Sequence, residues 1–484
     1  MHNLKKITIG DLRKLSRSQL VDIIVEQSAG LDLLVKQLQQ QQDRITELEL
    51  LVAKLTKDSS NSSKPPSTDL TGNLSSNRKH LNSRKASGRK SGGQPGHRGS
   101  TREMVTNPDT IIAHVPEHCG NCGKSLTDRG STGQIIATSQ IVDIPPIVPI
   151  VTEHQAIART CICGHTTKGL LPHEAGAIGT VQIGQNASSF LLYLNTAHHI
   201  PYARLQLVST DLFNFPLSQG TIDNKLEAAA RAAQPLRQTI VEFLHNSLWV
   251  GSDETGVRVA GKRIWEWVWQ NTKASLYAIS HGRDYQTVKD NFGEDYQGVL
   301  VHDCYCAQNN TPASGHQLCH AHLLRDLQFI LDTEPCSKPW AYRLQQMLLH
   351  SQRARDHIWG EDFDPKIRVA VQADYTYQLK QFIQESLTGN TAIRLQKRFK
   401  KHQDKILYFM GSPAIPPDNN GSERAIRMAK VKQKVSGGYR SERGAERQAL
   451  LLSIIETAKK QGLDVLETIQ KLVTGQELVL LPAE

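Results

Sequence analysis

The sequence lacks any run of about 18 apolar residues, and its start, MHNLKKITIGDLRKL, lacks the apolar segment of a secretory signal. Membrane insertion and secretion drop out of the expectations, and the chain reads as soluble and cytoplasmic. No internal repeat is visible. Cysteine is sparse, with eight in 484 residues. In a reducing compartment these stay thiols, which excludes a disulfide framework and makes clustered cysteines a sign of metal. Acidic residues are missing altogether between Arg78 and Arg102, where Arg84, Lys85, Arg89 and Lys90 stand among eight cations.

What is present is length and positive charge. The chain is too long for one ordinary core, and three or four domains are expected. A net charge of +10 favours a polyanionic partner, nucleic acid before membrane, because phosphates bound by Lys or Arg release counterions.

Along the chain the pattern falls into six segments. Residues 1–57 are helical, with Leu31, Leu38, Ile45 and Val52 at one heptad position and Leu34, Gln41, Leu48 and Leu55 three later, the seam of a leucine-zipper-like coiled coil that pairs two chains. Residues 58–105, rich in Ser, Gly, Pro and Asn, form a basic flexible linker that can lie along phosphates. Residues 106–172 alternate β-type runs such as IIAHV, QIIATSQIVDI and PIVTEHQAIA with turns, a small β-rich module. Residues 173–246 are helical and possess the makings of a helix-turn-helix-like DNA contact. Residues 247–435 open as three strands, a helix and a fourth strand, the order of an RNase H-like domain, with a helical insertion at about 323–410. Residues 436–484 are a helical tail. The fold class is multidomain α/β.

Two constellations carry chemistry. Cys119-Gly-Asn-Cys122-Gly and Cys161-Ile-Cys163-Gly supply four thiolates for a tetrahedral structural Zn²⁺, with a glycine after each pair for the tight turn of a knuckle. Asp253 in the first strand of residues 247–435 and Asp303 at the end of the fourth would lie side by side, and two such carboxylates need a cation between them; Mg²⁺ suits their hard oxygens. Glu423, in PPDNNGSERAI, is placed to complete a two-metal site, with Arg424, Arg427 and Lys430 behind it to hold DNA phosphate. Asp418 rivals Glu423 and Glu254 rivals Asp253. In the Cys319-His-Ala-His322 cluster, His322 is expected near the active centre or DNA.

The order of these motifs resembles transposases of the insertion sequence 66 family over nearly the whole chain. The match runs through Asn61-Ser-Ser-Lys-Pro-Pro-Ser, Gly92-Gly-Gln-Pro-Gly-His-Arg-Gly, the cysteine pairs, Pro201-Tyr-Ala-Arg, Leu217-Ser-Gln-Gly-Thr and Asp253-Glu-Thr. It continues through His302-Asp-Cys-Tyr, Cys319-His-Ala-His-Leu-Leu-Arg-Asp, Asp418-Asn-Asn-Gly-Ser-Glu-Arg-Ala-Ile-Arg and Ser441-Glu-Arg-Gly-Ala-Glu. The resemblance implies a metal-dependent transposase with an Asp253, Asp303, Glu423 triad on an RNase H-like domain, using Mg²⁺ or Mn²⁺, and with Zn²⁺ on Cys119, Cys122, Cys161 and Cys163. It implies terminal inverted repeats and target DNA as partners, accessory proteins of the same element, and a bacterial-type cytoplasmic setting at the nucleoid. The chain departs from the family at Cys304, where members often carry glycine or another small residue. A catalytically silent DNA-binding protein is the rival expectation.

Overall fold

The computed structural model describes residues 15–55, 96, 99, 102–127, 133–171, 181–360 and 363–481. Arg84, Lys85, Arg89 and Lys90, with most of the linker, lie outside the described residues. The chain divides into two compact units, one drawn from Arg84–Ile178 with Gln206–Ser218 and the other from the remainder.

Helix α1, Arg17–Leu55, carries the heptad stripe. Leu31, Leu34, Leu38, Ile45, Leu48 and Val52 are each 45–64% exposed, so the stripe is left open by its own chain. In the smaller unit the expected β-rich content is reduced, among the described residues, to one hairpin of β1, Ala158–Thr160, and β2, Thr166–Lys168, and an isolated bridge between His118 and Ser125. The three apolar runs form no ladder with one another, and only Ala158, the last residue of the third, enters β1. A sheet needs a covered face, whereas Ile111, Ile135, Ile136, Ile141, Ile150 and Val151 are all exposed.

The remaining helices before the sheet are α2, Gln185–Leu192, followed by a π turn at Tyr193–Ala197; α3, Tyr202–Phe213; and α4, Gln219–His245. A five-stranded mixed sheet then forms the heart of the larger unit. Strands β3, Trp249–Val259, β4, Lys262–Gln270, and β5, Ser275–Ser280, make an antiparallel meander. Helix α5, Tyr285–Asn291, is capped by Asp284, whose carboxylate accepts from Thr287 N. It carries the chain over to β6, Val299–His302, which returns parallel to β3. A short helix α6, Cys306–Asn309, leads to β7, Gly315–Leu318, parallel to β6, and the spatial order is β5-β4-β3-β6-β7.

Between β7 and the return to the sheet stand α7, His320–Thr333, α8, Lys338–Gly360, α9, Pro365–Gln384, and α10, Asn390–Lys401. Their apolar stripes meet Val299, Val301 and Leu318 in one core with Leu327, Leu344, Leu348 and Phe399. The chain then returns as α11, Asn420–Ser436, α12, Glu442–Lys460, and α13, Val465–Thr474. Helices α11 and α12 cover the meander through Ile426, Ala449 and Leu452 against Val268 and Tyr277. On β4, Trp267 and Trp269 stack in series with Phe292, ring centroids 5.7 and 5.6 Å apart. Arg447 of α12, buried, is held by Asp223 at 2.5 Å, Glu227 at 3.2 Å and the Tyr202 hydroxyl at 2.6 Å, which ties α12 to α4.

Candidate active site

Strands β3 and β6 pair in parallel with a constant offset of 50 residues, Trp249 opposite Val299 through Gly251 opposite Val301. Carried two residues further, the same register sets Asp253 opposite Asp303, just where β6 ends. Side chains alternate along a strand, so Asp253 shares the face of Gly251, and that face is covered by the start of α11. A Cβ on Gly251 would stand 2.5 Å from Ser422 Oγ and 2.7 Å from Asn419 Oδ1, and one on Gly421 would stand 2.6 Å from Gln270 Nε2. Two glycines therefore let helix and sheet approach more closely than any side chain permits. Asn419 fixes the approach: its Nδ2 donates to Ser252 O at 2.7 Å and its backbone N–H to Cys319 Sγ at 3.1 Å. Glu423 follows in the first turn of α11.

The electrostatics record the closeness. Burial pushes the Asp253 carboxyl well above the usual carboxylate range, and the negative charges of Asp303, Glu254 and Glu423 push it further. Glu423 Oε1 is buried and accepts no hydrogen bond. Two side chains of α7 approach it, the Arg325 guanidinium with Nη1 at 3.5 Å and the His322 ring with Nδ1 at 3.6 Å.

A family model described as "Transposase IS66 family" matches residues 180–447, more than half of the chain and the whole of this site. The chain belongs to that family. A second model, for a family of unknown function, matches residues 8–103. Among curated proteins the chain is similar to "Uncharacterized protein y4hP" of Sinorhizobium fredii, 21% identical over 74% of this chain and 70% of the relative. It is also similar to "Uncharacterized protein y4jD" of the same organism, 22% identical over 77% of this chain and 78% of the relative.

Within this family member, the two rival carboxylates have hydrogen-bond partners of their own. Glu254 faces away from α11; its Oε1 accepts from Arg283 Nε at 2.9 Å and its Oε2 from Gln308 Nε2 at 2.6 Å. Arg283 is itself sandwiched between the rings of Trp265 and Tyr305, at 4.4 and 3.9 Å. Asp418 accepts from Asn420 N at 3.0 Å, and its carboxyl is raised by burial first and then by Glu423. Asp303 accepts from Tyr305 N at 3.1 Å across a turn in which Cys304 has φ +79°, a left-handed conformation that favours glycine.

Behind Glu423, Arg424 and Arg427 are exposed, while Lys430 turns back to donate to Gly256 O at 3.0 Å. His322 is directed at Glu423. Sequence reasoning passed over Arg325, although it follows His322 by three residues and so shares its helix face. It also passed over Asn419 as the tie between β3 and α11. Cys319, His322 and Glu423 offer ligand atoms within 4.8 Å of one another. Arg325 brings its own positive charge to the same Glu423 oxygen, and burial, with the Glu423 charge behind it, pushes the Cys319 thiol up to about 12.

The cysteine pairs are each formed as a turn. Gly123 N donates to Cys119 O at 2.9 Å and Gly164 N to Cys161 O at 2.9 Å, with φ of +71° and +85° at the two glycines. Backbone N–H groups of Cys122 and Cys163 lower the Cys119 and Cys161 thiols, the direction a metal-binding thiolate needs. The two pairs are not brought together: among the described residues, no three of the four sulfurs come within metal-sharing reach.

Proposed function

We propose that this chain is a DDE-type DNA transposase whose mixed sheet is an RNase H-like core and whose triad is Asp253, Asp303 and Glu423. An antiparallel meander with two further strands added parallel beside its first strand supports the fold reading. The observation that supports the site is the 50-residue offset of β3 and β6, together with the action of the Asp303 and Glu423 charges on the Asp253 carboxyl. Mutually repelling, hard oxygen donors fit Mg²⁺ or Mn²⁺, and ions held there would lower the pKa of the attacking water and stabilise the leaving oxygen.

The chain's own residues have separable tasks. Asp253, Asp303 and Glu423 would hold the ions, Asn419 keeps Glu423 at the sheet, and Arg424 and Arg427 meet phosphate. In cleavage the water oxygen bonds to phosphorus at the element's end and the bond to the 3′ oxygen breaks, leaving a 3′-hydroxyl. In strand transfer that hydroxyl attacks a target phosphate, one phosphodiester forming as another breaks. The open stripe of α1 pairs two chains so that two ends are held together, and the arm at Arg84, Lys85, Arg89 and Lys90 binds the terminal repeats. Cys119, Cys122, Cys161 and Cys163, drawn together from two separate turns, would hold a structural Zn²⁺ that closes the smaller unit.

The test is Mg²⁺-dependent cleavage and strand transfer on end-containing DNA, wild type against Glu423→Gln. The variant should fold normally and lose at least about 10³-fold in rate, as expected when a catalytic metal ligand is removed. Equal activity in both would sink the triad.

A further inference from the structure

Between Glu385 and Asp418 the chain carries Arg394, Lys397, Arg398, Lys400, Lys401 and Lys405 against a single acid, Asp404. Most of this charge lies on α10. One face of the helix, Ala392, Leu395 and Phe399, is buried in the core of the insertion. The Glu334 carboxylate accepts from the backbone N–H groups of Thr391 and Ala392 at 2.6 and 3.1 Å, and Gln396 Nε2 donates to Phe382 O at 3.0 Å and Glu385 O at 2.8 Å. The helix is thus held in one orientation at its N-terminus and its middle. That orientation turns Arg394, Lys397 and Lys401 outward, spaced three and four residues apart on one stripe, with Lys400 beside them, all exposed. Among the described residues, Arg398 alone of the helix's cations has an acidic partner, Asp326.

The stripe points somewhere. Past its C-terminal end, Lys405 Nζ donates to Asn309 Oδ1 at 3.2 Å, and Asn309 Nδ2 donates to Cys304 O at 2.8 Å, one residue from Asp303. The cations crowd as they approach: His402 is held below its usual value by burial and then by Lys405 and Lys401.

We infer that the exposed face of α10, through Arg394, Lys397, Lys401 and Lys400, is a track for the sugar-phosphate backbone of DNA that leads into the Asp303 turn. The inference rests on the transposase reading and names a DNA surface on the insertion, apart from the arm and from α11. From Arg394 to Lys401 the helix rises about 10 Å, which matches roughly three phosphates of one strand. A merely solvated face would be mixed in sign and without direction; this one is of one sign and ends at the candidate active site.

The test is binding of the full chain, across a salt series, to a random-sequence duplex of about 30 base pairs and to its single strand, since phosphate contacts need no particular sequence. Arg394→Gln/Lys397→Gln/Lys401→Gln should lower the slope of log affinity against log salt by roughly 2 to 3, and weaken binding by about 10- to 100-fold near 0.1 M salt. Circular dichroism and thermal melting should be unchanged, because the three side chains are exposed. A charge-matched control, Lys338→Gln/Lys366→Gln/Lys380→Gln, alters exposed lysines elsewhere in the insertion. A wild-type slope in the α10 variant, or an equal loss in the control, would overturn the track. Neither result touches the triad, which Glu423→Gln tests by cleavage while leaving this binding intact.

Discussion

Cys122 and Cys161 are separated by 38 residues and their pairs stay apart, whereas Asp303 and Glu423, with helices α6 to α10 between them, both stand near enough to Asp253 for their charges to act on its carboxyl. The difference lies in what does the assembling. In the larger unit, two-sided burial of a sheet fixes β3, β6 and α11, and the carboxylates ride on elements that would be there without them. The smaller unit has a hairpin of two three-residue strands and exposed isoleucines, and no buried apolar side chain among its described residues. Its proposed metal is the missing closing force, since binding energy at a structural zinc is folding energy.

Removing a cysteine should break this comparison most visibly. Cys161→Ser is expected to abolish one equivalent of bound zinc and to make residues 102–171 rapidly cleavable by protease, while the melting of the larger unit stays as in wild type. Zinc content by elemental analysis and limited proteolysis check this.

Within the larger unit, Gly251→Ala attacks placement instead of chemistry. The added methyl would stand 2.5 Å from Ser422 Oγ. Overpacking of that kind costs about 1–3 kcal/mol, and a displacement of Glu423 by about 1 Å costs on the order of 10² in turnover. Denaturant melts and the strand-cleavage assay read the two effects separately.

Asp253→Asn should separate stability from activity. The folded acid has its pKa raised, so its stabilising contribution is complete below the unfolded carboxylate value and is lost as pH rises through the folded one. At neutral pH without metal the variant should therefore melt about 2–4 °C above wild type. The advantage should shrink as pH falls, because the protonated wild-type acid is then neutral as well. Cleavage should be lost throughout, and a pair of melting curves against pH is the measurement.

The smallest effect belongs to Cys304→Gly. A left-handed Cys costs about 1–2 kcal/mol, partly offset by the greater freedom of glycine in the unfolded chain. A net gain of roughly 0.5–1 kcal/mol in a urea melt is expected, with activity kept or raised.

Much of the larger unit was legible in the sequence, because long alternating runs such as Trp249–Val259 and Lys262–Gln270 leave one reading. The expectation that Asp253 lies beside Asp303 rested on adjacency of the first and fourth strands, and that adjacency is present in the sheet. The mistaken expectation fell on 106–172, where β-branched runs have strand propensity but no face to bury, and propensity without cover makes no ladder. Gly251 and Gly421 read in the sequence as loose points; their role as a close-approach seam exists only in three dimensions. Likewise Glu254 and Asp253 are indistinguishable neighbours until alternation assigns one to Arg283 and Gln308 and the other to α11.

Strand β5 is an edge, and its free N–H groups at Ser275 and Tyr277 donate to hydroxyls of α12, Thr457 Oγ1 at 3.1 Å and Ser453 Oγ at 2.8 Å. Those hydroxyls leave the ribosome about 180 residues after the strand they shield. At roughly 5–20 residues per second the edge stays bare for on the order of ten seconds or more, a template for any neighbouring strand. The same delay keeps Glu423 from Asp303, so a nascent chain carries an incomplete site and an exposed sheet together. Completion of the candidate site and protection from aggregation thus arrive late in synthesis, within a few dozen residues of each other.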